Sequence, residues 1–135
     1  MTHGYSGTPL VQKLGIKPGD HIAAINPPEH YLELLDPMPA GVRIDEDASA
    51  ETRLVHLFVT EQSVLEAQLA RMRTTLVPTA VLWVSWPKRT SKMPTDVSED
   101  IIRELALPMG WVDVKVCAVD QVWSGLKLMV RTALR

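Results

Sequence analysis

A single cysteine, Cys117, stands among the 135 residues. No intrachain disulfide can form and no thiolate metal cluster can assemble, which suits a reducing compartment. Net charge is also scarce: a formal charge of -2 gives no global field to draw the chain onto nucleic acid or an anionic membrane. No apolar run reaches the roughly 18 residues of a membrane span. The segment Met1 to Leu10 lacks both the basic start and the apolar stretch of a signal peptide, so a cytoplasmic location is expected. His3, His21, His30 and His56 are dispersed, and no two share a helical face at metal-ligand spacing. No Gly-x-Ser-x-Gly elbow, Walker loop or dinucleotide fingerprint occurs. No metal and no cofactor is expected. Repeats and low-complexity stretches are missing too. What remains is 46% hydrophobic and 22% charged, the balance of one folded globular domain spanning residues 1–135.

Turn chemistry and apolar periodicity divide that domain into alternating elements. Thr8 before Pro9 reads as a helix cap, Leu10, Val11 and Leu14 give an apolar side, and Gly15 ends the helix. After Lys17-Pro18-Gly19-Asp20, the run Ile22 to Ile25 is a strand covered on both faces. Pro27 and Pro28 are expected to open a helix carrying Tyr31, Leu32, Leu34 and Leu35, and Val42 to Ile44 to form a short strand. Leu54 to Val59 is a further buried strand, followed by a helix capped by Thr60 with Val64, Leu65, Leu69 and Met72 on one side. Ala80 to Val84 repeats the strand pattern. Asp96 with Glu99 makes a capping-box signature for a helix bearing Val97, Ile101, Ile102 and Leu105. Residues 112–118 and 126–130 then alternate apolar with polar, as an antiparallel pair does, with Asp120 to Gly125 as the loop. The fold class is therefore α/β: a three-layer, Rossmann-like, mostly parallel sheet ending in an antiparallel hairpin, whose last strand can enter between two others.

Ligands of such sheets gather beyond the carboxyl ends of the strands. Those ends are Asn26, Asp45, Thr60 and Trp86. The loop Lys88-Arg89-Thr90-Ser91-Lys92 sets three cations beside two hydroxyls directly after a central strand. It is the leading site, able to bind phosphate or carboxylate through charge-assisted hydrogen bonds while Trp86 offers a stacking face. The competing reading is a solvated loop. Trp123, Ser124, Gly125 and Lys127 form a second candidate, against a plain turn with an edge-strand aromatic. His56, alternating with core residues, reads as a hydrogen-bonded buried histidine, Trp83 as core and Cys117 as a packed thiol.

The segment Leu14-Gly15-Ile16-Lys17-Pro18-Gly19-Asp20-His21-Ile22-Ala23-Ala24-Ile25 resembles the entry to class I S-adenosylmethionine-dependent methyltransferases, in which a helix and a Lys-Pro-Gly turn lead into the first strand. That family continues into a glycine-rich loop against the cofactor; here Asn26-Pro27-Pro28-Glu29 follows. Two prolines remove two backbone donors and fix φ, so the inherited pocket is expected to be blocked or reshaped. The resemblance also implies a ribose-gripping acid near Asp45, Glu46 and Asp47, although three adjacent acids are commonly solvated. Gly4-Tyr5-Ser6-Gly7-Thr8-Pro9-Leu10, residues 55–59, residues 82–88 and Val114-Lys115-Val116-Cys117 with Trp123-Ser124-Gly125-Leu126-Lys127 resemble a family of small uncharacterised bacterial proteins, a domain of unknown function. The expectation is a non-catalytic protein on a degenerate methyltransferase-like scaffold. It would bind a small anionic ligand or a protein partner through Asn26, Thr60, Trp86, Lys88, Ser91, Lys92, Trp123 and Lys127. The alternative is a divergent S-adenosylmethionine-dependent methyltransferase.

Overall fold

In a computed structural model that describes residues 7–135, six strands form one sheet in the order β2-β1-β3-β4-β6-β5. The strands are β1 (His21–Ile25), β2 (Arg43–Asp45), β3 (Leu54–Phe58), β4 (Val81–Pro87), β5 (Trp111–Ala118) and β6 (Trp123–Val130). β1 to β4 run parallel, and β6 enters antiparallel between β4 and β5. The architecture is the mostly parallel α/β sheet with an antiparallel hairpin that the alternating pattern implies, and the last strand is an interior one. Four helices flank it: α1 (Leu10–Leu14), α2 (Tyr31–Leu34), α3 (Gln62–Thr75) and α4 (Glu99–Ala106).

The continuous apolar runs arise because β3 and β4 are buried along their whole length. With a side-chain period of two, each strand feeds both faces. Val55, Leu57, Leu82, Val84 and Trp86 join Leu65, Leu69, Met72 and Ile102 in the core beneath α3 and α4. Leu54, Phe58, Val81 and Trp83 join Leu10, Leu14, Tyr31 and Leu34 in a second core beneath α1 and α2. A tryptophan pins a helix on each side, with the Trp83 indole N–H donating to Leu14 O (3.0 Å) and that of Trp111 to Leu69 O (3.4 Å). Gly125 lets β6 lie close to β4, since a Cβ there would meet Ser85 Oγ and Trp83 Cε3 at 3.3 Å. In the turn before β1, Asp20 Oδ2 accepts from Lys17 N–H and from Arg53 Nη2, each at 2.8 Å, while Arg53 also donates to Gly15 O. The Lys-Pro-Gly turn is thereby locked to the start of β3.

The helix starts differ from the sequence reading. Pro9, not Thr8, occupies the N-cap of α1, and no side chain caps it. Pro27 and Pro28 precede α2 without belonging to it, and the helix is only the four residues Tyr31–Leu34. Thr60 does not cap α3: Glu61 holds the N-cap position, and the first N–H, of Gln62, is met at 2.8 Å by Asp96 Oδ1 from the loop before α4. Asp96 is thus a cap in trans, and α4 is capped by Ser98, whose Oγ accepts from Ile101 N–H at 3.3 Å. His3 and the Gly4-Tyr5-Ser6 part of the second resemblance lie outside the described residues. Among the described residues no helix is long and apolar enough to cross a membrane.

Candidate functional site

Two grooves open beyond the carboxyl ends of the parallel strands. The first, about 370 Å³, lies where β1 and β2 end and is walled by Asn26, Pro27, Pro28, Tyr31, Ile44 and Glu46, among others. Its geometry begins at Asn26, which turns the chain out of β1 with φ of 59°, a left-handed conformation that asparagine tolerates better than other residues with a Cβ. Pro27 and Pro28 follow as wall rather than plug. The cavity is therefore open, and the prolines' effect is chemical: that wall offers no N–H at two successive residues.

The three adjacent acids after β2 have three different fates. Asp45 is hydrogen-bonded to His21 Nε2 and accepts from Arg43 Nε at 3.2 Å; the His21 contact foremost, and Arg43, hold its carboxyl below the usual range. Asp47 is drawn to Arg71 of α3, with Nη2 to Oδ1 at 2.8 Å, and is likewise lowered by that contact. Glu46, between them, has no hydrogen-bond or ion-pair partner among the described residues and lines the groove, as does Glu29. Among the described residues no lysine or arginine lines this groove.

Below it runs a buried polar thread. Tyr31, on the groove wall, has its hydroxyl 2.8 Å from His56 Nδ1, and His56 Nε2 lies 2.7 Å from Ser85 Oγ. Burial alone drives the His56 pKa down to about 3 and raises that of Tyr31, so the imidazole is neutral and the phenol protonated. His56 is fully buried and Ser85 likewise, so this serine-histidine pair is a satisfied core network with no access for substrate. Phe58 stacks on His56, and Trp123 meets Phe58 edge-on at 5.1 Å between ring centroids.

The second groove, about 630 Å³, lies between the end of β4 and the start of α4 and includes Trp86, Arg89, Lys92, Asp96 and Glu99. The eight residues singled out by sequence are thus dispersed. Asn26 stands on the first groove; Trp86 and Lys92 stand on the second. Lys88 is directed elsewhere, its Nζ donating to Asp120 O at 2.7 Å beneath the hairpin loop, and Ser91 Oγ donates to Lys88 O at 2.6 Å. Thr60 serves through its carbonyl, which accepts from Thr95 Oγ1 at 2.7 Å and Asp96 N–H at 3.2 Å. Trp123 is a buried residue of an interior strand rather than an edge aromatic. Lys127 sits mid-strand opposite Trp83 and Lys115 and lines neither groove; burial, then Lys115 and Arg53, lower its pKa. Cys117 is half-buried, with its thiol pKa raised by burial.

One pair had no sequence signal. Asp120, buried, accepts from Val122 and Trp123 N–H at 2.8 Å through Oδ1 and contacts His30 Nε2 at 2.8 Å through Oδ2. The two residues are 90 positions apart. Only the topology, which brings the loop after β1 over the β5–β6 turn, makes them neighbours.

No family model matches the sequence, and no curated protein does. Solved structures match it in fold. A S-adenosylmethionine-dependent methyltransferase from Aquifex aeolicus superposes with a TM-score of 0.62 at 12% identity, over 90% of this chain and 87% of that one. A type 11 methyltransferase assigned in Sulfolobus solfataricus gives 0.58 at 11%, over 91% and 90%. The B. subtilis M1A22 tRNA methyltransferase TrmK gives 0.61 at 10%, over 91% of this chain but 65% of its own, so this chain spans just under two thirds of that enzyme. At such identities the likeness is one of architecture: the chain has the methyltransferase-like Rossmann fold.

Proposed function

We propose that the groove over β1 and β2 binds an adenosyl ligand of the S-adenosylmethionine class, and that the protein is a divergent methyltransferase. The observation that carries this reading is the groove's charge: among the described residues Glu29 and Glu46 have no partners, and no lysine or arginine stands on the wall. A sulfonium ion is favoured in such a field, and a phosphate is repelled. Glu46, one residue beyond the end of β2, is placed to accept hydrogen bonds from ribose hydroxyls, while Ala24, Ile44 and Leu32 supply apolar wall for a purine. The residues fit the nucleoside half of the ligand. For its amino-acid carboxylate, the proline wall supplies no donors.

A second reading is favoured by that missing donor set: a non-catalytic protein on the same scaffold, taking a small anion or a protein partner elsewhere. Ligand-dependent thermal stability separates the two. S-adenosylmethionine should raise the melting temperature with the logarithm of its concentration, as for any ligand that binds only the folded state. No rise at millimolar ligand would remove the first reading.

A further inference from the structure

We propose that the groove between β4 and α4 binds a planar aromatic anion, a ring bearing a phosphate or carboxylate. This site is separate from the adenosyl reading of the first groove and stands or falls without it. The groove's volume of about 630 Å³ is in the range of small-molecule sites. Trp86, at 8% exposure, is one of its lining residues and the last indole of the fully buried strand β4. Packed in the core, its indole is held fixed, and the rim that reaches the groove offers an edge contact to a flat ring.

The charges sort in one direction. Glu99 is ion-paired with Arg103, which lies one turn further along α4 and is also bound to Asp113. Asp96 is engaged at the N-terminus of α3, where Oδ1 takes the Gln62 N–H and the positive end of the helix compensates its charge. Both acids of the groove are therefore balanced from outside it. The hydroxyls are spent as well, Thr95 Oγ1 on Thr60 O and Ser98 Oγ on Ile101 N–H. Arg89 and Lys92 are exposed and have no side-chain partner among the described residues. Lys92 moreover holds φ of 61°, a left-handed conformation that costs a residue with a Cβ and that neither glycine nor asparagine is present to relieve. Two unspent cations beside a rigid indole are complementary to an anion on a flat ring.

Phenyl phosphate and benzoate, with benzyl alcohol as the uncharged control, titrated into 15N-labelled protein test this. One or both anions should move the Trp86 indole N–H and the Arg89 and Lys92 amides, and which of them binds tighter identifies the headgroup. Joint Arg89→Ala and Lys92→Ala substitution should weaken binding by about tenfold or more, the loss of roughly one charge-assisted contact, while Glu46→Gln leaves it unchanged. The proposal is overturned if millimolar anion leaves those signals in place, if benzyl alcohol moves them equally, if the double substitution has no effect, or if Glu46→Gln abolishes binding.

Discussion

The two sides of the sheet solve the same packing problem differently. Beneath α3 and α4 the core is apolar throughout, whereas beneath α1 and α2 it contains the Tyr31–His56–Ser85 thread. The grooves follow suit: the α2 side opens a groove edged by unpaired carboxylates, and the α4 side one edged by unpaired cations. A parallel sheet fixes where ligands bind, but the residues on each face decide the charge they meet.

The comparison is broken most strongly on the apolar side. Leu69, on α3, is 0% exposed, and Leu69→Ala should destabilise the fold by about 2–5 kcal/mol in urea unfolding, through lost burial and the cavity left behind. A cost below about 1 kcal/mol would show that α3 is not packed as described.

On the polar side the sharper probe is pH. His56 has a folded pKa of about 3 against 6.5 for the free side chain, so the unfolded chain binds the extra proton. Its contribution is fully present above pH 6.5 and is lost as pH falls toward about 3. Stability should decline through this window with a slope approaching about 1.4 kcal/mol per pH unit from this residue. The carboxyl groups of Asp20, Asp45, Asp47 and Asp113, all lowered from 3.8, add their loss only at the acid end. Denaturant titrations at several pH values, repeated on His56→Gln, should show the slope between pH 6 and about 4.5 shrinking in the variant. An unchanged slope would mean that His56 is not buried neutral.

The smallest effects concern the loop before α4. Asp96→Ala removes the cap that the α4 loop lends to α3 and should cost about 1 kcal/mol in the same unfolding assay. Thr60→Val should cost less, because its carbonyl, not its hydroxyl, holds the loop.

These residues also mark where the sequence was legible. Apolar runs such as 54–59 and 80–84 announce a doubly covered strand because that pattern depends only on burial. His56, set among core residues, was readable as a buried, hydrogen-bonded imidazole for the same reason. Caps were less legible: a side-chain oxygen near a helix start reads as a local cap, yet Asp96 serves a helix 34 residues earlier. The basic loop was visible as five consecutive residues, but its division into Lys88 and Ser91 turned inward and Arg89 and Lys92 outward depends on the hairpin loop that Lys88 grips. His30 with Asp120, and the isolation of Glu46 between two paired neighbours, required the fold itself.

The most direct test of the adenosyl reading is to map S-adenosylmethionine onto 15N- and 13C-labelled protein. The account requires concentration-dependent shifts at Asn26, Leu32 and Glu46, lost or strongly weakened in Glu46→Gln. Shifts confined to the groove around Trp86 and Lys92, or none at millimolar ligand, would contradict it.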